Sequence, residues 1–125
     1  MELQMNSEVK RLAMKVSRDL VTQRVDLGDD SYRVLSDAVE GDIEVVTLAS
    51  DLDFFANENG WAEFSPAERN ALAEMAQFAH LGAANPILGP VIFTGGVDSA
   101  GETQGLSEER ARQIERLAVV LREVM

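Results

Sequence analysis

The chain has no cysteine, a single histidine, one tryptophan and only three prolines among its 125 residues. Without cysteine there are no disulfides, thiolate metal sites or cysteine nucleophiles. With His80 alone, neither a multi-histidine metal centre nor a recognisable catalytic triad can be assembled. No apolar run approaches the roughly 18–20 residues that span a bilayer. The opening Met1-Glu2-Leu3-Gln4-Met5 lacks both the basic patch and the apolar run of a signal peptide. An intracellular, membrane-free protein is expected.

Positive charge is scarce too. The net charge is −11, and it is lopsided: residues 26–63 hold eleven acids against one base, Arg33, so that this stretch carries −10. Such a surface repels nucleic-acid phosphates and anionic lipid, which argues against direct binding to either. Its simplest role is a solvated, solubilising face. Hydrophobic residues at 46% and charged residues at 26% are ordinary for one globular domain of this length.

Residues 7–27 read two ways. Val9, Leu12, Ala13, Val16 and Leu20 fall at helical spacing behind Ser7. Leu12, Met14 and Val16, and then Val21, Gln23, Val25 and Leu27, alternate as strands would, with Arg18-Asp19 turning between them. Gly28-Asp29-Asp30-Ser31 then leads into a helix over 31–39, which a left-handed Gly41 would end. Strands are predicted over 43–48 and 52–57. The Asn57-Glu58-Asn59-Gly60 turn suits a hairpin, with Trp61 to Phe64 returning as a short strand. Ser65-Pro66-Ala67-Glu68 is a capping box with proline in the first turn, predicting a well-buried helix over 66–81 that includes Met75 and Phe78. A strand over 87–94 is entered through Pro90, a glycine-rich loop runs from Gly95 to Gly105, and Ser107 caps a last helix over 107–124. The expected fold is α+β, a small mixed or antiparallel sheet of about five or six strands with three helices packed on it. Residues 1–11 are expected to be an N-terminal extension and 12–125 a single domain.

Several stretches together resemble a small domain family of unknown function encoded by actinobacterial phages and plasmids. They are Asp29-Asp30-Ser31-Tyr32-Arg33-Val34-Leu35, Gly41-x-Ile43-Glu44-Val45-Val46-x-Leu48, Asn57-Glu58-x-Gly60, Asn70 with Ala73, and Pro86-Ile87-Leu88-Gly89-Pro90-Val91-Ile92-Phe93-Thr94-Gly95 leading to Gly105-Leu106-Ser107. The likeness covers roughly residues 12 to 110 and favours the hairpin for residues 7–27. It implies a mobile-element accessory protein, cytoplasmic in a bacterial host, and supplies no mechanism.

Catalytic signals are weak. Gly96 to Thr103 has the glycine spacing of a phosphate-binding loop, but Glu102 stands where the lysine must be and would repel phosphate. His80, in the last turn of its helix, complements the helix dipole. No catalytic residue, cofactor or metal is assigned. Asp42, Glu44, Asp51, Asp53 and Glu58 could bind an oxygen-ligated cation, but their spacing fits no calcium loop. These five form instead the candidate partner-binding acidic face. Asn70 is either a buried amide satisfying a neighbouring loop or, with Trp61 and Asn57, part of a ligand pocket. Three functions follow as expectations: an accessory protein that binds a host factor, a basic and DNA-binding one among the candidates, through its acidic face; an acidic DNA mimic of the antirestriction type; or a protein that sequesters a nucleotide signal. Self-association into a homo-oligomer stays open.

Overall fold

The computed structural model describes residues 11–125, so the first ten residues of the expected extension, with Ser7 and Val9, lie outside the described part. Five strands make one antiparallel sheet: β1 (Leu12–Val16), β2 (Thr22–Asp26), β3 (Ile43–Ala49), β4 (Leu52–Asn57) and β5 (Val91–Thr94). Their spatial order is β2-β1-β5-β4-β3. The helices are α1 (Ser31–Val39), a one-turn α2 (Gly60–Glu63), α3 (Ala71–Leu81) and α4 (Glu108–Val124). The class is α+β.

Strand periodicity separates two cores. Met14, Val16, Phe54 and Phe93 point to one face, where Leu72 and Ala76 of α3 and Ala111, Ile114 and Ala118 of α4 cover them. Ala13, Phe55 and Ile92 point to the other, beneath Leu35, Ala38 and Val39 of α1. β4 and β5 are therefore buried on both faces, which is why Phe54-Phe55-Ala56 and Val91-Ile92-Phe93 are unbroken apolar stretches, with Asp53, Asn57 and Thr94 buried beside them. The Phe54 and Phe93 rings meet at 5.4 Å between centroids, and each buried ring contributes about 1.5–3 kcal/mol.

Residues 12–26 form the hairpin. The turn closes with Leu20 N–H donating to Ser17 O at 2.9 Å and Ser17 N–H to Val21 O at 3.0 Å. Arg24 of β2 reaches across to Glu108 and Glu115 of α4, pinning that edge. Arg11 is ordered with the domain: its guanidinium donates to Thr103 O at 2.9 Å and also to Gly28 O.

Four local expectations are corrected. Helix α1 is capped by the Asp30 side chain, which accepts from Arg33 N–H at 3.2 Å, and Glu40 rather than Gly41 takes the left-handed conformation. Gly41 is needed for closeness: a Cβ there would lie 2.6 Å from Asn57 Nδ2. Residues Trp61 to Phe64 do not return as a strand; Gly60–Glu63 is a helical turn. β4 already has β3 on one side and β5 on the other, so no edge remains for a returning strand.

The Ser65 capping box forms, but it starts only a 3-10 turn over Pro66–Glu68. Arg69 is extended and bridges Leu88, while Asn70 N–H donates to Ile87 O at 2.7 Å. This pairing with the segment before β5 draws the chain out of helix, and α3 restarts at Asn70. Finally, α3 is less buried than its composition suggests: Phe78 is 61% exposed, and Met75 is also exposed.

Candidate functional site

A cleft of about 260 Å³ opens at the side of the sheet, between the β3–β4 ladder and residues 85–88. Glu44 and Val46 of β3 share its face by strand alternation, Asn57 and Glu58 close one end, Gln77 comes from α3, and Trp61 stands at the rim. Glu58 continues the ladder beyond β4, its N–H donating to Asp42 O at 2.8 Å.

Polar side chains hold the walls. On α3, Asn70, Glu74 and Gln77 lie at i, i+4 and i+7, one stripe facing residues 85–89. Asn70 is fully buried; its Nδ2 donates to Val16 O at 3.1 Å and Gly89 O at 3.0 Å, and its Oδ1 accepts from Ala73 N–H at 3.1 Å. Glu74 accepts from Ile87 N–H at 3.1 Å and pairs with Arg69. Burial would raise its carboxyl, but the bonds from Arg69 and Ile87 outweigh that and hold it below the usual range. Gln77 donates to Asn85 O at 2.9 Å.

At the opposite wall Asn57 Nδ2 donates to Glu63 Oε1 at 2.9 Å and to Val39 O at 3.2 Å, and its Oδ1 accepts from Asn59 N–H at 2.7 Å. One buried amide thus clasps the end of α1 to the turn that carries Trp61. Glu74 and Gln77 were not singled out from sequence. Their stripe of polar positions within an apolar helix was the available signal.

The sequence candidates divide. Glu44, Glu58, Trp61 and Asn57 come together in the cleft, with Asp42 exposed beside them. Among the described residues the carboxylates of Asp42, Glu44 and Glu58 make no hydrogen bond or ion pair. Asp51 lies elsewhere, paired with Arg110 of α4 at 2.8 Å, whose guanidinium lowers its carboxyl. Asp53 is a correction: it is 3% exposed, on the α1 side of the sheet with Phe55, and cannot belong to an exposed acidic face. Asn70 serves the fold and does not line the cleft. Phe54 and Phe55 fill the core, whereas Trp61 is 80% exposed.

Among the described residues, none lining the cleft carries a positive charge, a hydroxyl or an imidazole. Two carboxylates, an indole face and side-chain amides suit a cation, since the ring quadrupole and the carboxylates attract the same charge. Among the described residues, no three histidine, aspartate or glutamate side chains cluster so as to hold a metal ion. In the glycine-rich loop, Ala100 and Glu102 N–H both donate to Asp98 Oδ1 at 2.9 Å, so the loop's amides serve its own carboxylate. No described helix is long and apolar enough to cross a membrane.

No curated protein and no solved structure matches this chain significantly. A family model does, over residues 9–118, so most of the chain lies within it. The chain belongs to the family described as Domain of unknown function (DUF3846).

Proposed function

We propose that this domain is a non-catalytic interaction module that binds a protein partner through a basic segment docked at the Glu44–Glu58–Trp61 cleft. The observation that carries the reading is Trp61, 80% exposed beside carboxylates that have no ion-pair partner among the described residues. A large indole left in water, next to unneutralised charge, is what a cation-binding hot spot looks like before its partner arrives. The surroundings agree: from Val34 to Glu68 the chain has nine acids and no base. A role as a phage or plasmid accessory factor that engages a host protein in the bacterial cytoplasm is compatible with this chemistry.

Titration with a lysine-rich peptide by calorimetry tests it. Affinity should fall about tenfold between low and physiological salt as the charges are screened. It should fall further in Glu44→Gln/Glu58→Gln and in Trp61→Ala, with melting unchanged within about 0.5 kcal/mol for these surface changes. Equal affinity for the wild type and all variants would refute the assignment.

A further inference from the structure

Among the described residues, the edge of the sheet beside the cleft is unpaired. β3 is the longest strand, at seven residues, and no sixth strand lies beyond it among the described residues. The hydrogen bond from Glu58 N–H to Asp42 O fixes the phase of the ladder. Bonding pairs alternate in an antiparallel ladder, so Glu44 and Val46 bond toward β4. Ile43, Val45 and Thr47 must then turn their N–H and C=O groups outward, to the open side. Natural edges are guarded by proline, lysine, bulges or shortness. β3 has no proline and no lysine, and its one irregularity lies at its far end, between Thr47 and Ala49. Val45, at the centre, is half exposed.

What guards this edge is acid. Two copies joined antiparallel through β3 would set the two Glu44 side chains diagonally across the seam when centred on Val45, and Asp42 directly opposite Glu44 when centred on Ile43, which disfavours self-pairing. The same charges favour a cationic strand. We infer that β3 is a docking edge that accepts an extended basic segment of a partner protein as a sixth strand. This rests on the interaction-module reading and adds the mode of binding. In an added strand, residues opposite Ile43, Val45 and Thr47 would lie on the α1 side and alternate ones on the cleft side. Every second residue would thus be a lysine or arginine directed at Glu44, Glu58 and Trp61. Main-chain bonds supply affinity and the alternate side chains supply specificity.

The probe is a capped Lys-Val-Lys-Val-Lys-Val-Lys peptide, compared with its isomer Lys-Lys-Lys-Lys-Val-Val-Val, which has the same charge without the alternation. The alternating peptide should bind about tenfold more tightly, and amide exchange at Ile43, Val45 and Thr47 should slow when it binds. Val45→Pro removes an outward N–H without touching a bond to β4, and should weaken binding about tenfold while the circular-dichroism spectrum stays native. Equal binding of the two isomers, with unprotected amides and an unaffected Val45→Pro, would overturn strand addition and leave the acidic cleft standing. No binding of either peptide at low salt would overturn both. Protection of the same amides in a dimer without peptide would make the occupant a second copy and overturn the basic-partner assignment. Should Val45→Pro not fold, the isomer comparison and the exchange pattern decide between these outcomes on the native chain.

Discussion

Replacing Asn70 by alanine should be the most damaging single truncation of a polar side chain in this domain. The amide is fully buried and joins three elements: it caps α3 through Ala73 N–H, holds β1 through Val16 O, and holds the segment before β5 through Gly89 O. Loss of the cap costs about 1 kcal/mol. Two carbonyl oxygens lose their side-chain donor at about 1–3 kcal/mol for each left unsatisfied. The sum, roughly 3–7 kcal/mol if both carbonyls are left unsatisfied, is a large share of the ~5–15 kcal/mol that typically holds a domain together. Asn70→Ser keeps a capping hydroxyl while losing both donors, so it should recover about 1 kcal/mol of the loss. Urea denaturation followed by circular dichroism measures this, with a lower midpoint at unchanged slope. An alanine variant destabilised by less than about 1 kcal/mol, or a serine variant no better than alanine, would refute the claim that this amide is a structural junction.

Gly95→Ala should unfold the protein or cost several kcal/mol, since its Cβ would lie 2.0 Å from Gly105 O, a backbone atom that cannot swing aside; a native melting curve would contradict this. Asp51→Lys breaks one exposed ion pair and should cost at most about 1 kcal/mol, whereas Asp53→Lys buries a cation in a 3%-exposed site and should abolish the cooperative melting transition. Equal melting temperatures for the two would be decisive against that contrast. Acid should destabilise the fold through the α4–β2 contact. Arg24 hydrogen bonds push the Glu108 carboxyl down to about 2 and also lower Glu115. These groups bind protons more readily when unfolded, so their stabilisation is complete above about pH 5 and is lost as pH falls through 2. Thermal melts across that range should decline, and Glu108→Gln should flatten the decline; an identical profile in the variant would show that another group is responsible.

The elements most legible in the sequence were those whose signals are local. Ser107, which caps α4 with two acids in the next turn, and the strand over 52–57 each behave as their chemistry suggests. Elements set by neighbours distant in sequence were not. The Ser65 capping box formed as written and still failed to launch α3, because Arg69 and Asn70 bond to residues 87 and 88. The Asn-x-Asn-Gly turn looked like a hairpin because nothing local records that β4 is flanked on both sides. Of the acidic face, strand alternation within β4 alone could have put Asp53 on the side opposite Phe54, but not opposite Glu44. The parity of its pairing with Thr47 is a property of the ladder register, and that register appears only once β3 and β4 are aligned.

The place of β5 bears on how the chain reaches its native state. The hairpins β1–β2 and β3–β4 pair locally, yet neither bonds to the other; four residues, Val91 to Thr94, join them. During synthesis both hairpins leave the ribosome before their connector exists, each with one apolar margin open to water. Cooperative closure must therefore wait for this late segment to insert between them, at a sequence separation of nearly eighty residues from Met14 to Phe93. A nascent chain stalled before residue 91 should be prone to protease attack and association, and release of that short strand should convert it in one step.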